Sequence, residues 1–241
     1  MKPLIDRSSI TPSSIFCVGK NYADHAKEME QWEPAEYRND IARQINEEPV
    51  IFMKPATSLA VNDRTSIPSF RGKPLSLCMH YEVELVILID RDAVDIAEHE
   101  ASRFIRGYGV GLDMTLRDVQ IDAKRTVNPW LKCKGFRHSA LVSDFVPAES
   151  VGDWKDLEIS LRCNDRQVQH AGASQMISPP AYLIHYLSYI YGLRSNDLIF
   201  TGTPSGVGQV SKGDILFASL EHHMENAALS SNLVDLRAIV M

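Results

Sequence analysis

Short apolar runs of strand length recur along the chain with turn residues between them: SIFCVG, EPVIFMKP, VELVILI, GYGVGLD, LEISLRCN, DLIFTGTP and DILFASL. Their β-branched and aromatic enrichment predicts a sheet-dominated protein. Helical spacing is rarer. YADHAKEME predicts a short helical turn and AEHEASRFI a second helix. SPPAYLIHYLSYIYGL predicts the best-marked helix, with proline at its start and Gly192 at its end. Leu183, Ile184, Leu187 and Ile190 form its core-facing stripe, and Tyr182, Tyr186 and Tyr189 read as a packed face rather than a ligand box. Between Glu30 and Glu48 the sequence turns polar and aperiodic, which predicts a surface loop or lid.

One run breaks the apolar rule. Within HYEVELVILID, Glu82 and Glu84 stand two apart on a strand whose second half, Leu85 to Ile89, is apolar on both faces. A strand repeats every two residues, so both carboxylates leave one face roughly 7 Å apart, beside His80. Two readings are open: a strand entrance whose acids meet solvent, or a buried pair whose repulsion a cation answers. Mg²⁺ or Mn²⁺, bound through oxygens, fits the second. GYGVGLDMTLRDVQ adds a third acid, because its strand ends at Asp113 where a helical turn begins. Three carboxylates leave positions on an octahedral ion for water and a chelating substrate. Zinc is not predicted: Cys17, Cys78, Cys133 and Cys163 are scattered without a C-x-x-C pair, and no H-E-x-x-H occurs.

At 241 residues and 44% hydrophobic content, the chain suffices for a sizeable core. We expect one catalytic domain over 1–241, with a short N-terminal segment and a lid region around 22–48. A net charge of −6 without a basic run excludes a nucleic-acid footprint and points to small-molecule ligands. No apolar stretch approaches the roughly 20 residues of a membrane span, and MKPLIDRSSITPSS lacks a signal peptide's apolar run, so the expectation is a soluble, cytoplasmic protein without a membrane partner. Dispersed cysteines agree with a reducing compartment, although four thiols allow pairing.

Five segments in this order, CVGKNYADHAKEM, EPVIFMKPATS, HYEVELVILI, GYGVGLDMTLRDVQ and DLIFTGTPSGVG, resemble the fumarylacetoacetate hydrolase family, in particular its small acylpyruvase-like and fumarylpyruvate hydrolase-like members. The resemblance runs from about Cys17 to Asp214. It implies an α+β, mostly β fold: a mixed β-sandwich or β-roll of the fumarylacetoacetase C-terminal-domain type with a few short helices. It further implies a homodimer and Mg²⁺ or Mn²⁺ held by Glu82, Glu84 and Asp113. His25 and Glu28, three apart on one helix face, resemble the family's water-activating lid dyad; an ordinary surface charge pattern is the plain alternative. Lys134 in CKGF resembles the lysine that contacts the reacting carbonyl or its enolate. Arg117 and Gln120 resemble substrate and metal-water contacts, against a salt bridge and a helix-surface amide. In TGTPSGVG, which lacks the ending of a nucleotide-binding phosphate loop, Thr203 resembles the threonine facing the substrate carboxylate, and amides around Gly202 offer an anion cradle.

Departures bear on substrate choice. Lys20 stands where close members often carry arginine, keeping the charge without the two-pronged grip. Gly135 and Arg137 replace a common serine and a frequent aspartate. The tail after Asp214 does not read like the family's closing strands, and the adjacent His222 and His223 read as solvent-exposed. The resemblance implies hydrolysis of an acylpyruvate, such as fumarylpyruvate, to release pyruvate: the dyad takes water's proton, Lys134 steadies the enolate, and Lys20, Arg117 and Thr203 hold the anionic groups of a 2-oxo acid. Oxaloacetate decarboxylation and isomerisation or tautomerisation of a 2-oxo or 2-hydroxydienoate acid use the same ion and lysine. Only hydrolysis makes full use of the dyad as a water activator. A non-catalytic oxo-acid binding protein is the reading from another class.

Overall fold

The computed structural model describes residues 3–30, 48–223 and 231–241. Its principal strands are β1 (Ile15–Gly19), β2 (Val50–Lys54), β3 (Leu59–Ala60), β4 (Met79–Tyr81), β5 (Val83–Ile89), β6 (Ile105–Asp113) and β7 (Ala140–Val142). These are followed by β8 (Leu157–Cys163), β9 (Arg166–Gly172), β10 (Leu198–Phe200), β11 (Ile215–His222) and β12 (Ser231–Val240). The α-helices are α1 (Ala23–Met29), α2 (Arg117–Arg125), α3 (Leu131–Lys134) and α4 (Pro180–Ile190). An eight-stranded sheet runs β2-β1-β10-β5-β6-β7-β3, with Val146–Pro147 joining β6 off that path. A five-stranded sheet runs β9-β8-β11-β12 and ends on Arg64–Thr65. Between Thr115–Leu116 and Gly208–Gln209, β4 forms a separate three-stranded sheet. The fold is mostly β with few helices, as the sequence predicts.

β5 is buried at every position because both of its faces are packed. Leu85, Ile87 and Ile89 join Ile159 of β8 and Leu216 and Leu220 of β11 in the large core. Val86 and Leu88 join Ile15, Cys17, Phe145 and Phe200 in a second cluster on the opposite face. An acid on this strand therefore has no solvent side, and its charge must be met from within.

The tail expectation is corrected. β11 and β12 form an antiparallel pair from Ile215↔Ile239 to His222↔Ser231, and Val234, Leu236, Ala238 and Val240 supply a period-two buried row. β9, rich in glutamine and histidine, was not legible as a strand; it takes its form from pairing with β8. The AEHEASRFI segment is a 3-10 helix, Glu98–Phe104, with only Ala101 buried, so it lacks the apolar stripe that would favour an α-helix. α4 ends as predicted, with Gly192 in the left-handed region at φ +70°. Residues 31–47, on which most of the lid expectation falls, lie outside the described residues. The four cysteines are free, and no described helix is long and apolar enough to cross a membrane.

Candidate metal centre and cleft

Glu82 occupies the single position between β4 and β5, where its carbonyl accepts the Asp113 N–H at 2.9 Å. That bond brings the end of β6 beside the acids of the other strand. Glu84 lies opposite Gly111 of β6. A Cβ at Gly111 would stand 2.6 Å from Val86 Cγ2 and 2.9 Å from the Leu141 carbonyl oxygen, so the close approach of these strands requires glycine there. Glu82, Glu84 and Asp113 are 4%, 1% and 0% exposed, which excludes the solvent-facing reading. One ligand oxygen from each lies within 4.8 Å of the others.

The carboxylates are unequally compensated. Lys134 Nζ donates to Glu82 Oε2 at 2.5 Å and to Asp113 Oδ2 at 2.7 Å. Arg117 Nη2 pairs with Glu82 Oε1, and Lys54 Nζ lies 2.7 Å from Asp113 Oδ1. Burial works against ionisation of Glu82, yet Lys134 and Arg117 hold its carboxyl well below the usual range. The same acids keep Lys134 protonated against its own burial, Asp113 contributing most. Glu84 differs: its hydrogen bond comes from the Gly202 amide at 2.7 Å, and no ion pair among the described residues reaches it. Burial, then repulsion from Asp113, pushes its carboxyl well above the ordinary value. A buried all-oxygen set with one undercompensated acid fits a hard divalent cation.

A cleft of about 390 Å³ over the three acids is also lined by Lys20, His25, Arg117, Gln120, Lys134 and Thr203. His25 is buried at the base of α1, with Nδ1 3.2 Å from Glu28 Oε2. Glu28 itself accepts the Gly206 amide at 3.1 Å, which ties α1 to the 201–208 turn. Although burial favours its neutral form, His25 and that amide lower the Glu28 carboxyl below its ordinary value. The pair is thus a braced dyad rather than a surface charge pattern. Glu28 stands behind His25 and does not line the cleft.

Other predicted residues occupy places of their own. Lys134 ends α3 as a buried ammonium 4.9 Å from the centre of the Phe52 ring. Arg117 makes the salt bridge that was the plain alternative and lines the cleft as well. Gln120 is buried, accepting from Arg117 Nη1, rather than a helix-surface amide. Lys20 sits in the left-handed region at φ +59°. Gly202 corrects the anion-cradle expectation: its amide grips the carboxylate of Glu84, and the residue does not line the cleft. Its φ of +101° and the 2.7 Å from an added Cβ to Asn21 Cβ require glycine. Thr203 Oγ1 accepts Gln169 Nε2 at 2.9 Å, which leaves its own hydroxyl hydrogen to donate elsewhere. His80, accepting Arg117 Nε at 3.4 Å, is pushed down to about 4 by burial and then by that guanidinium. His222 is half-buried against the Val151 carbonyl rather than exposed.

Sequence reasoning missed Lys54, wholly buried, which also donates to Ser139 Oγ at 3.0 Å and to the Lys134 carbonyl. Its signal was a lysine closing the apolar run VIFM on β2. Gln169 and Asn21 were missed too; Asn21 bonds the Thr201 carbonyl at 2.7 Å and the Ser178 amide at 2.6 Å.

Comparison with known proteins places these residues in context. The family described as fumarylacetoacetate (FAA) hydrolase C-terminal matches residues 14–235. Oxaloacetate tautomerase YcgM of Escherichia coli K12 is 39% identical over 213 residues, covering 88% of this chain and 90% of that protein. The mitochondrial oxaloacetate decarboxylase of Dictyostelium discoideum is 37% identical, covering 86% and 88%. Among solved structures, fumarylpyruvate hydrolase from Pseudomonas aeruginosa in complex with Mn²⁺ and pyruvate superposes with a TM-score of 0.76 at 30% identity, covering 100% of this chain and 98% of that one.

Proposed function

The chain belongs to the fumarylacetoacetate hydrolase family, and from that membership and the geometry of its carboxylates we propose that it is a Mg²⁺- or Mn²⁺-dependent enzyme that interconverts the keto and enol forms of an oxaloacetate-type 2-oxo acid. The observation that carries this reading is Lys134, an ammonium bonded to two of the three acids and facing the cleft, where it would be available to an oxygen on which enolate charge grows. The 39% identity to an oxaloacetate tautomerase supports the choice of reaction. Glu82, Glu84 and Asp113 would hold the cation, which supplies Lewis-acid polarisation of a chelated 2-oxo acid.

The chain's own groups handle the proton. With Glu28 accepting from Nδ1–H, His25 presents Nε2 as a base able to take a proton from the carbon beside the keto group and return it. Lys134 donates to the developing oxyanion, and the Thr203 hydroxyl, fixed by Gln169, donates to the carboxylate of the substrate. Enolisation needs neither an attacking water nor a leaving carbon. A second reading, hydrolysis of an acylpyruvate, is favoured by the same His25–Glu28 pair acting on water and by the likeness to fumarylpyruvate hydrolase.

The test follows decay of enol-oxaloacetate by ultraviolet absorbance, with Mg²⁺ or Mn²⁺ and with chelator, while pyruvate and CO₂ are assayed as products. The expected result is metal-dependent loss of enol far above the spontaneous rate, without stoichiometric pyruvate. Faster release of pyruvate from fumarylpyruvate than ketonisation of oxaloacetate would replace this reading with the hydrolase one.

A further inference from the structure

Gln169 is buried and reaches the cleft region from the other sheet, of which its strand β9 is an edge. The register of β9 on β8 shifts at this residue: Leu161↔Gln169 gives way to Arg162↔Gln167, and Val168 is left as an extra residue in the ladder. Such a bulge re-aims the side chains beside it. The Val168 carbonyl lies so close to Gly206 that a Cβ there would collide with it, and the Gly206 amide in turn holds Glu28. On the other side, Asn21 Nδ2 donates to the Thr201 carbonyl at 2.7 Å. The turn that carries Thr203 is thus clamped between Asn21 and β9.

The amide of Gln169 has its two ends fixed by backbone. Its Oε1 accepts the Val83 N–H at 2.9 Å, and its Nε2 donates to the Pro204 carbonyl at 2.8 Å. Val83 stands between Glu82 and Glu84, beyond the last residue of β5 that β10 pairs, Val86 opposite Phe200. The glutamine takes the place of a strand there. An N–H can only donate and a carbonyl can only accept, so these two partners allow the amide one orientation. The second Nε2 hydrogen goes to Thr203 Oγ1 at 2.9 Å, and that oxygen must accept. Among the described residues nothing takes the hydroxyl hydrogen of Thr203, which lines the cleft with the three acids. A freely rotating hydroxyl could turn a lone pair toward an anion; this one is left with its hydrogen to offer.

We propose that Gln169 is a positioning residue that sets the polarity of Thr203, holding its hydroxyl as the donor to the chelated carboxylate of the substrate and tying that donor to the peptide between Glu82 and Glu84. This rests on the proposed 2-oxo acid site and adds the group that orients one of its contacts.

The experiment is a double-mutant cycle read by calorimetric titration of the Mn²⁺-saturated protein with oxalate, whose carboxylate stands in for the chelating end of the substrate. Thr203→Val should weaken oxalate by about tenfold, the worth of one charge-assisted hydrogen bond. Gln169→Met should weaken it by a similar factor when Thr203 is present, but by less than about twofold in the Thr203→Val background, because the residue acts through that hydroxyl. In enol-oxaloacetate turnover the Gln169→Met loss should fall on KM more than on kcat, as expected for a contact to a carboxylate that does not react. Losses that multiply in full, as a merely structural glutamine would give, or an unchanged oxalate affinity in Gln169→Met, overturn the assignment while leaving the oxo-acid site standing. If Gln169→Met does not fold, Gln169→Glu decides: its carboxylate keeps an acceptor for Val83 and has no hydrogen for Thr203, so its effect on oxalate should be larger with Thr203 than with valine, and equal effects overturn the assignment. Failure of the Mn²⁺-loaded wild type to bind oxalate overturns the 2-oxo acid site itself, and this assignment with it.

Discussion

β5 and β12 are both long strands in antiparallel pairs, and they treat charge in opposite ways. Along β12, Val234, Leu236, Ala238 and Val240 are buried while Asp235 and Arg237 are exposed, so one face meets the core and the other meets water. Every position of β5 is buried. Asp235 shares its carboxylate between solvent and Asn232 at 2.7 Å; Glu84 has the Gly202 amide and the repulsion of Asp113. On a one-sided strand an acid is a surface detail. On a two-sided strand it is a demand for positive charge, which is why Glu84 and Asp113 on the central strands, with Glu82 at the entrance to β5, point to a cation and the charges of β12 do not.

Removing an acid from the central pair should produce the largest effect. Asp113→Asn leaves Lys54 and Lys134 buried without their shared counter-charge, so unfolding in denaturant with chelator present should show a loss of about 3–5 kcal/mol. Calorimetry should find Mn²⁺ binding abolished. Unchanged stability and retained Mn²⁺ binding would erase the contrast between the strands. Glu84 should behave oppositely in metal-free protein. Its folded pKa lies above its unfolded value, so stability is fullest below roughly pH 4.3 and declines as pH rises through the raised folded value. Glu84→Gln should remove that decline in thermal melts with chelator, and saturating Mn²⁺ should remove it in the wild type. A melting profile identical in wild type and Glu84→Gln would show that Glu84 carries no such penalty.

Much of this contrast was legible in the sequence, for a physical reason. Glu82 and Glu84 interrupt an apolar run, and a charge where the period-two rule has no polar face is conspicuous without a structure. Asp113 was legible as a strand end. Lys54 was not, because a lysine closing an apolar strand reads as a polar terminus; only the pairing of β2 at the sheet edge and the path of 134–139 show it enclosed. Gly202 was misread because a glycine turn declares free amides but not which anion they meet. β9 and β12 were missed for a shared reason. Their outward positions are polar or charged, and the partner strand, distant in sequence, supplies the remaining information.

Two smaller changes sharpen the comparison from inside the central pair. Gly111→Ala places a methyl 2.6 Å from Val86 Cγ2 and 2.7 Å from Phe200 Cε1, with the Leu141 carbonyl behind it, and should lower stability by about 1–3 kcal/mol in denaturant unfolding. Alanine tolerated there without loss would mean that β5 and β6 can separate, and Glu84 would no longer be held without a solvent side. Lys134→Met removes a cation lying 2.5 and 2.7 Å from two of the candidate ligands. It should tighten Mn²⁺ by about tenfold in calorimetry while enol turnover falls, since about 1.4 kcal/mol of competing charge is a modest share of a close buried pair. Weaker Mn²⁺ binding would make Lys134 a support of the cation site rather than its competitor.

The smallest effect belongs to the other strand. Asp235→Ser removes a formal charge from a sheet just as Asp113→Asn does, yet Asp235 is exposed and its partner Asn232 is neutral and exposed as well. Water replaces that single bond, so the change in unfolding free energy should stay within about 0.5 kcal/mol and Mn²⁺ binding should not move. The two substitutions differ in the environment far more than in the chemistry removed, which makes the pair a direct measure of what two-sided burial adds. A loss at Asp235 approaching that at Asp113 would mean that the exposed row of β12 is covered in the working protein, and the difference between the strands would then be one of partner rather than of sheet.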